Sequence, residues 1–336
     1  MKSIVTVDTG TTNTRAVLWQ NGEEVANTSE SVGVRDTSIT GNNKRLKNAV
    51  KKTIESVLKA ANISDHSAVT VIATGMITSD LGLVEIPHLK VPAGAHELTA
   101  GMVKKDIPEV FDQAIWFIPG VRNVVENTFP ANITNMDIMR GEEVEAIGAI
   151  AKLGINGPAV LVLPGSHTKM IKLDRKNRIS GSITTMTGEM LEFLTKKSIL
   201  AAALDEEFSD FLDEEAVKLG AKTSATNGLN RTAFSVRLLK MYTDYSRNQR
   251  ANYLLGAVFA NDIKAIKNNT VFSVHSNELF VILGNSALGK ALKVIIENDQ
   301  DLNGNVMIKE TPNLAGLGAV EIAKLKNTEE DKRDET

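Results

Sequence analysis

The chain contains no cysteine. This excludes disulfides, thiolate metal sites, iron–sulfur clusters and a cysteine nucleophile, and it fits a reducing compartment. No charge of one sign dominates: Lys and Arg number 38, Asp and Glu 41, for a net charge of −3. Such a chain exerts no global pull on nucleic acid or an anionic membrane. No apolar run approaches the roughly 18 residues of a membrane-spanning helix. The opening reaches Asp8 after Ile4-Val5-Thr6-Val7, without the apolar core or cleavage site of an export signal, so a cytoplasmic location is expected. The five histidines, His66, His88, His96, His167 and His275, show no metal-ligand spacing. A G-x-S-x-G nucleophile elbow is missing as well.

What is present reads as an ordinary globular chain, 42% apolar and 24% charged over 336 residues, enough for about two domains. Strands are predicted at 4–8 and 14–19 around the turn Asp8-Thr9-Gly10-Thr11-Thr12-Asn13, and Asn21-Gly22 turns into a third at 24–32. A helix is predicted at 43–61, where Leu46, Val50, Ile54, Val57 and Leu58 recur at helical spacing. Next come a strand at 69–73, a loop-rich stretch at 78–112 with one short helix, a strand at 114–118 and a helix at 140–153. The opening pattern then repeats. A strand at 159–163 leads into the turn Pro164-Gly165-Ser166-His167-Thr168, followed by strands at 170–173 and 178–185. Helices are expected at 188–203, 207–219, 232–244 and 248–268. A strand at 278–283, a helix from Ser286, a strand at 306–308 and a helix at 314–326 close the fold. A hairpin set that starts near residue 3 and again near residue 159 predicts two related α/β domains facing each other across a cleft. Their expected extents are 1–145 and 146–326, with a disordered charged tail at 327–336.

The turn from Asp8 to Asn13 can aim backbone N–H groups and hydroxyls at a phosphate, and a carboxylate at the strand end can hold Mg²⁺ directly or through water. The same residues also suit an ordinary Asx-type turn. A second hydroxyl-rich turn, Gly165-Ser166-His167-Thr168, at the matching point of the repeat favours a nucleotide gripped from both sides. Gly284-Asn285-Ser286-Ala287-Leu288-Gly289-Lys290-Ala291 nearly matches a phosphate-binding P-loop, but Ala291 stands where Ser or Thr would ligate the metal. It reads better as a glycine-opened helix near the nucleoside. Gly316-Leu317-Gly318 lacks the third glycine of a dinucleotide fingerprint. Glu142 and Glu143 open a helix, where carboxylates suit the macrodipole; alternatively, one of them serves as a general base. Arg140 either grips an anionic substrate or caps charges.

Together these segments resemble the superfamily of sugar kinases, hexokinases, actins and heat-shock chaperones, and within it the 2-dehydro-3-deoxygalactonokinases. The resemblance rests on Asp8 to Asn13 with Arg15, Thr74-Gly75-Met76-Ile77-Thr78-Ser79, Ile118-Pro119-Gly120-Val121, Met139-Arg140-Gly141-Glu142-Glu143, Leu163 to Lys169, Met186-Thr187-Gly188-Glu189 and the Gly284-Asn285 loop. It implies two ribonuclease-H-like (actin-like ATPase) domains and ATP-dependent phosphorylation of the C6 hydroxyl of 2-dehydro-3-deoxy-D-galactonate in galactonate catabolism, with Mg²⁺. By that resemblance Asp8 holds the metal, and Gly10, Thr11, Thr12, Asn13, Gly165, Ser166, His167 and Thr168 hold phosphates. Gly284 and Asn285 lie near adenosine, and Glu142 or Glu143 is the base. Met76, Ser79, Arg122 and Arg140 face the sugar acid. A homodimer is compatible with this reading; nucleic acid and membrane partners are not expected. Thr9 and Leu83 replace aromatic residues usual in the family, on the substrate side. A same-fold kinase for 2-dehydro-3-deoxygluconate, or a nucleotide-binding switch, are the alternatives.

Overall fold

The computed structural model describes the backbone of residues 3–334 and the side chains of 3–326. Strands β1 (Ser3–Thr9), β2 (Thr14–Gln20) and β3 (Glu23–Glu30) form an antiparallel set. Helices α1 (Val34–Thr40) and α2 (Lys44–Ala60) lead to β4 (Val69–Gly75), which pairs parallel with β1. The chain continues through β5 (Leu89–Lys90), α3 (Ala95–Gly101), β6 (Val103–Lys105), β7 (Ile115–Phe117), β8 (Val121–Arg122), β9 (Ile138–Met139) and α4 (Glu142–Leu153). The first sheet has the order β3-β2-β1-β4-β7-β6, and β5-β8-β9 make a small sheet of their own.

The second half begins with β10 (Ala159–Leu163), β11 (Thr168–Leu173) and β12 (Ile179–Thr185). Helices α5 (Thr187–Lys196), α6 (Ala201–Leu204), α7 (Glu214–Asn227), α8 (Leu229–Tyr242) and α9 (Arg247–Asn268) follow. Then come β13 (Leu279–Leu283), α10 (Ala287–Asn298), β14 (Asn305–Lys309) and α11 (Leu314–Asp334). Its sheet runs β12-β11-β10-β13-β14, with β10, β13 and β14 parallel. Three antiparallel strands followed by two parallel ones thus occur twice in the same order. The duplicated ribonuclease-H-like α/β fold expected from the sequence is what the chain adopts.

Strand alternation decides which residues reach the cleft. On β1, Val5 and Val7 are fully buried with Ala16 and Leu18 of β2, against the apolar face of α2 formed by Leu46, Val50, Ile54, Val57 and Leu58. Thr6 and Asp8, together with Arg15 and Val17, occupy the opposite face and line a cavity. Helix α11 returns from the second half to pack on α4, α3 and β1. At the crossing, a Cβ on Gly148 would overlap the Leu314 carbonyl oxygen, and one on Gly318 the Val144 carbonyl oxygen. The two helices therefore meet backbone to backbone. This accounts for the Gly316–Gly318 pair, whose first member packs a possible Cβ position against the Trp19 ring at 2.7 Å.

Several expected boundaries move. The helix predicted at 188–203 breaks into α5 and α6. The helix expected at 207–219 starts only at Glu214, where the Asp213 side chain accepts the Ala216 N–H at 3.0 Å and supplies the cap. The β5-β8-β9 sheet has two-residue strands, too short to show a period. The last helix continues past Lys326 to Asp334 where a disordered tail was expected, since its Glu, Lys and Arg residues favour helix once it is started; residues 335–336 lie outside the described residues. The expected boundary at 145/146 falls inside α4.

Because both opposing groups at the crossing are backbone, neither can swing away. Gly148→Ala and Gly318→Ala should each cost about 1–3 kcal/mol and lower Tm by roughly 3–10 °C in thermal denaturation, without changing the far-ultraviolet circular dichroism of the folded state.

Candidate active site

The strands of the two hairpins predicted to hold phosphate border one cavity, through Asp8 and Arg15 of β1 and β2 and through Leu163 of β10 with Pro164 after it, while the turn residues 10–13 and 165–168 lie outside its lining. In the β1–β2 turn the Gly10 N–H donates to the Asn13 carbonyl at 2.9 Å, which leaves Thr11, Thr12 and Asn13 exposed at the tip. The turn is seated on the start of α1, where the Val34 and Arg35 N–H groups donate to the Gly10 and Thr11 carbonyls at 3.2 and 2.9 Å. A Cβ on Gly33 would come within 2.5 Å of those same groups. In the β10–β11 turn Ser166 and His167 are exposed, Gly165 is half-buried, and the hydroxyl of buried Thr168 has no partner among the described residues. The Glu189 N–H donates to the Ser166 carbonyl at 3.1 Å, and the Glu189 carboxylate lies 3.1 Å from His167 Nε2.

Gly284 sits at φ 108°, where only glycine is unstrained, and its N–H donates to the Lys309 carbonyl at 2.8 Å. Asn285 is exposed beside it. Ser286 caps α10 by accepting the Gly289 N–H at 3.2 Å, so the P-loop-like segment is a capped strand-to-helix turn. A cavity of about 650 Å³ joins these parts; its lining includes Asp8, Arg15, Glu145, Pro164, Gly284 and Glu310. The stretch from Glu310 to Gly316 forms one wall. Of its residues the sequence singled out Gly316 alone, within an incomplete dinucleotide fingerprint.

Carboxylates crowd the first-domain side. Asp8 is half-buried and pushed up to about 6, first by burial and then by Glu142, with Arg15 opposing. Glu145 is pushed up to about 7 by burial, Asp8 and Glu142. Its part in the site was missed from sequence, although it lies one helical turn after Glu142, the spacing that puts two side chains on one face. Glu142 is half-buried, and one of its oxygens accepts the Arg140 backbone N–H at 2.9 Å. Glu143, the alternative to Glu142 in the sequence reading, has a different setting. It is fully buried, and both its oxygens accept the Gly141 N–H, at 2.9 and 2.8 Å. Burial first, then Glu142, raises it to about 8. It closes the start of its own helix and does not reach the cleft.

For Arg140 the sequence left open a substrate contact or a capping role. Its guanidinium donates to the carbonyl and hydroxyl of Thr78, both at 2.6 Å, and to the Ile86 carbonyl at 3.1 Å, and it meets His88 Nδ1 at 3.2 Å. Those bonds tie the start of α4 to the turn after β4 and leave little of the cation for a substrate. Arg122, by contrast, is half-buried with one 3.4 Å hydrogen bond to the Asn123 carbonyl. His88, also missed from sequence, is held near a pKa of 4 by burial and then by Arg140, Arg122 and Lys169. These causes place four basic groups together. Lys169 is already paired with Asp137 and bonded to Thr184 and the Ile138 carbonyl. Met76 is half-buried in the turn after β4, and the Ser79 hydroxyl donates to its carbonyl at 2.7 Å. Among the described residues no three Asp, Glu or His side chains are placed to hold a metal between them, and no helix is long and apolar enough to cross a membrane.

Residues 8–320 match the model of a family described as 2-keto-3-deoxy-galactonokinase. A Rhizobium meliloti protein named as a probable 2-dehydro-3-deoxygalactonokinase is 28% identical over 323 residues, covering 93% of this chain and 94% of the relative. The crystal structure of a 2-dehydro-3-deoxygalactonokinase candidate from Sinorhizobium meliloti superposes with a TM-score of 0.71 at 25% identity, covering 96% and 98% of the two chains.

The raised pKa of Glu143 carries a sign. Both states are protonated at low pH. Above the unfolded value near 4.5 the unfolded chain ionises first, so this group withdraws stability as pH rises until the folded value near 8 is passed. Glu143→Gln should therefore raise Tm relative to the parent more at pH 8 than at pH 5. Equal differences at the two pH values would show that Glu143 ionises normally in the fold.

Proposed function

Since the chain belongs to the 2-keto-3-deoxy-galactonokinase family, we propose that its cleft transfers the terminal phosphoryl group of ATP to the C6 hydroxyl of 2-dehydro-3-deoxy-D-galactonate. The protein is a phosphotransferase with an alcohol acceptor. The observation that carries the assignment of parts is the pair of hairpins at matching points of the repeat, β1–β2 and β10–β11, whose strands border one cavity lined by Asp8, Arg15, Glu145 and Pro164.

Phosphoryl transfer asks a protein for position and charge neutralisation more than for covalent chemistry. Thr11, Thr12 and Asn13 present exposed donors from one side, and Ser166 and His167 from the other; the unpartnered Thr168 hydroxyl is the kind of buried donor a phosphate would satisfy. Gly284 lines the cavity, with Asn285 exposed beside it, which suits adenosine. Mg²⁺ fits this donor set. Asp8, Glu142 and Glu145 press on one another with only Arg15 opposing, a surplus of negative charge that a divalent cation relieves. With no cage of three ligands among the described residues, phosphates and water would complete its shell, as Mg²⁺ prefers. When bound with ATP, Mg²⁺ supplies charge neutralisation at the phosphates. Asp8 is the residue to hold it, and Glu145 the one to orient its water.

Glu142 is the carboxylate left to accept the proton of the attacking hydroxyl, since Glu143 is spent on its own helix start. Arg122 is the cation left to pair with the sugar-acid carboxylate, and Arg140 holds the segment that carries the base. Closure of the cleft would exclude water and suppress idle hydrolysis.

A coupled ADP-release assay with Mg-ATP tests the proposal, run with the galacto acid, its gluco epimer and no sugar. We expect release to depend on the galacto acid. Glu142→Gln should lower kcat by about 10²–10⁴-fold, while Glu143→Gln keeps kcat within about tenfold of the parent. Arg122→Ala should raise KM for the sugar acid about tenfold or more with little change in KM for ATP. ADP release that ignores the sugar acid would overturn the kinase reading, and a larger loss in Glu143→Gln than in Glu142→Gln would overturn the choice of base.

A further inference from the structure

One acidic residue lies outside this machinery in a place where packing alone gives it no reason to be. Asp262 on α9 is 5% exposed, and its neighbours along the helix, Phe259, Ile263 and Ile266, belong to the apolar core of the second domain. Among the described residues it has no basic partner. Its carboxylate accepts the Thr187 hydroxyl, and the Thr187 hydroxyl lies 2.8 Å from that of Thr185. Burial accordingly pushes it up to about 6, against the hydrogen bonds of Thr187 and Thr185. An apolar side chain of similar size would serve stability as well or better. What the carboxylate adds is direction: it fixes one hydroxyl in one rotamer.

That hydroxyl belongs to the first residue of α5, and the first turn of α5 is the platform of the second hairpin. A Cβ on Gly188 would overlap the Gly165 carbonyl oxygen and come within 2.7 Å of Ser166 Cα. The Glu189 N–H donates to the Ser166 carbonyl at 3.1 Å, and the Glu189 carboxylate meets His167. Thr185 lies directly across the ladder from Thr168. From Asp262 to the hairpin tip the chain of contact is unbroken: carboxylate, Thr187, Gly188 and Glu189, then Gly165 and Ser166.

We propose that Asp262 is a positioning residue for nucleotide binding, holding the first turn of α5 through Thr187 so that the Gly165–Thr168 hairpin keeps the shape that grips phosphate. This rests on the reading of that hairpin as a nucleotide contact, and the test separates the two. ADP release is measured with ATP varied at saturating sugar acid, and with the sugar acid varied at saturating ATP. Asp262→Ala and Thr187→Val should each raise KM for ATP about tenfold while KM for the sugar acid stays within twofold. Asp262→Asn keeps an acceptor for Thr187 and should stay within about threefold of the parent. The double variant Asp262→Ala/Thr187→Val should be no worse than the more affected single one, because the two act as one link.

Thermal melts accompany each variant. If Asp262→Ala fails to fold, Thr187→Val and Asp262→Asn still decide the matter. Equal rises in both KM values, unchanged KM for ATP in Thr187→Val, or additive effects in the double variant would overturn the proposal. Ser166→Ala/His167→Ala serves as the reference for the hairpin. An unmoved KM for ATP there would remove the hairpin reading itself, whereas a raised one beside a normal Asp262→Ala would remove Asp262 alone.

Discussion

The crossing of α4 and α11 at Gly148 and Gly318 sets where the rest of the cleft can lie. Helix α4 carries Glu142, Glu143 and Glu145 in its first turn, and the start of α11 carries Leu314, Ala315 and Gly316 along the cavity wall. With no side chain between the two backbones, the distance from the carboxylates to that wall is fixed by van der Waals contact between main-chain atoms. A methyl group at either glycine would widen the cavity at the same time as it strained the core. The same device recurs in the second domain, where a Cβ on Gly220 of α7 or Gly256 of α9 would overlap the carbonyl of Tyr253 or Val217 on the facing helix. That second contact holds α9, and hence Asp262, in place. Both ends of the cleft therefore trace back to helix pairs in which glycine is needed for approach, not for a special backbone angle.

How much of this could be read from the residues depends on the range of the interaction. The hairpins were legible because everything that makes them is local: small and hydroxylic residues between two β-rich runs, repeated about 155 residues later with the same strand order around them. The α2 core face was legible for the same reason, since helical spacing is a local pattern. The choices left open at Arg140 and at Glu142 or Glu143 could not be narrowed from sequence because their contacts are made with partners that no nearby residue announces. Arg140 is claimed by Thr78, Ile86 and His88, 52–62 positions away. Glu143 turns back on Gly141 only because Gly141 adopts φ 118° and presses a possible Cβ position to 3.3 Å from Gly75 Cα. Nothing in the sequence distinguishes that glycine from a helix-start glycine of the usual kind.

Glu145 could have been found. Adjacent helix residues diverge by about 100°, whereas residues three apart lie within about 60° of one another. Of the three acids at the start of α4, positions 142 and 145 therefore share a face and 143 cannot join them. Weighing Glu142 only against its neighbour Glu143 compares two residues that point apart; the informative pair is Glu142 and Glu145. Burial is the first cause of the shift at each of Asp8, Glu143 and Glu145; beyond it Glu142 raises all three, and Asp8 also raises Glu145.

This also explains why a basic residue so well placed for an acid substrate should be withheld from it. The angular setting of α4 decides whether Glu142 or Glu143 meets the cleft, and a rotation by one residue would bury the first and expose the second. Two contacts oppose that rotation at the point where the chain enters the helix: the Arg140 guanidinium, bonded to both the carbonyl and the hydroxyl of Thr78, and the Gly141–Gly75 approach just after it. Thr78 and Gly75 both follow from β4, the strand that pairs with β1 and so with Asp8. The proposed base Glu142 and the Asp8 carboxylate are thereby referred to the same two strands, and their separation does not depend on the looser parts of the fold. A lysine at position 140 could supply the charge but not the planar fork that meets Thr78 and Ile86 together. In the proposed reaction the guanidinium would act by fixing which carboxylate of the helix start faces the cleft.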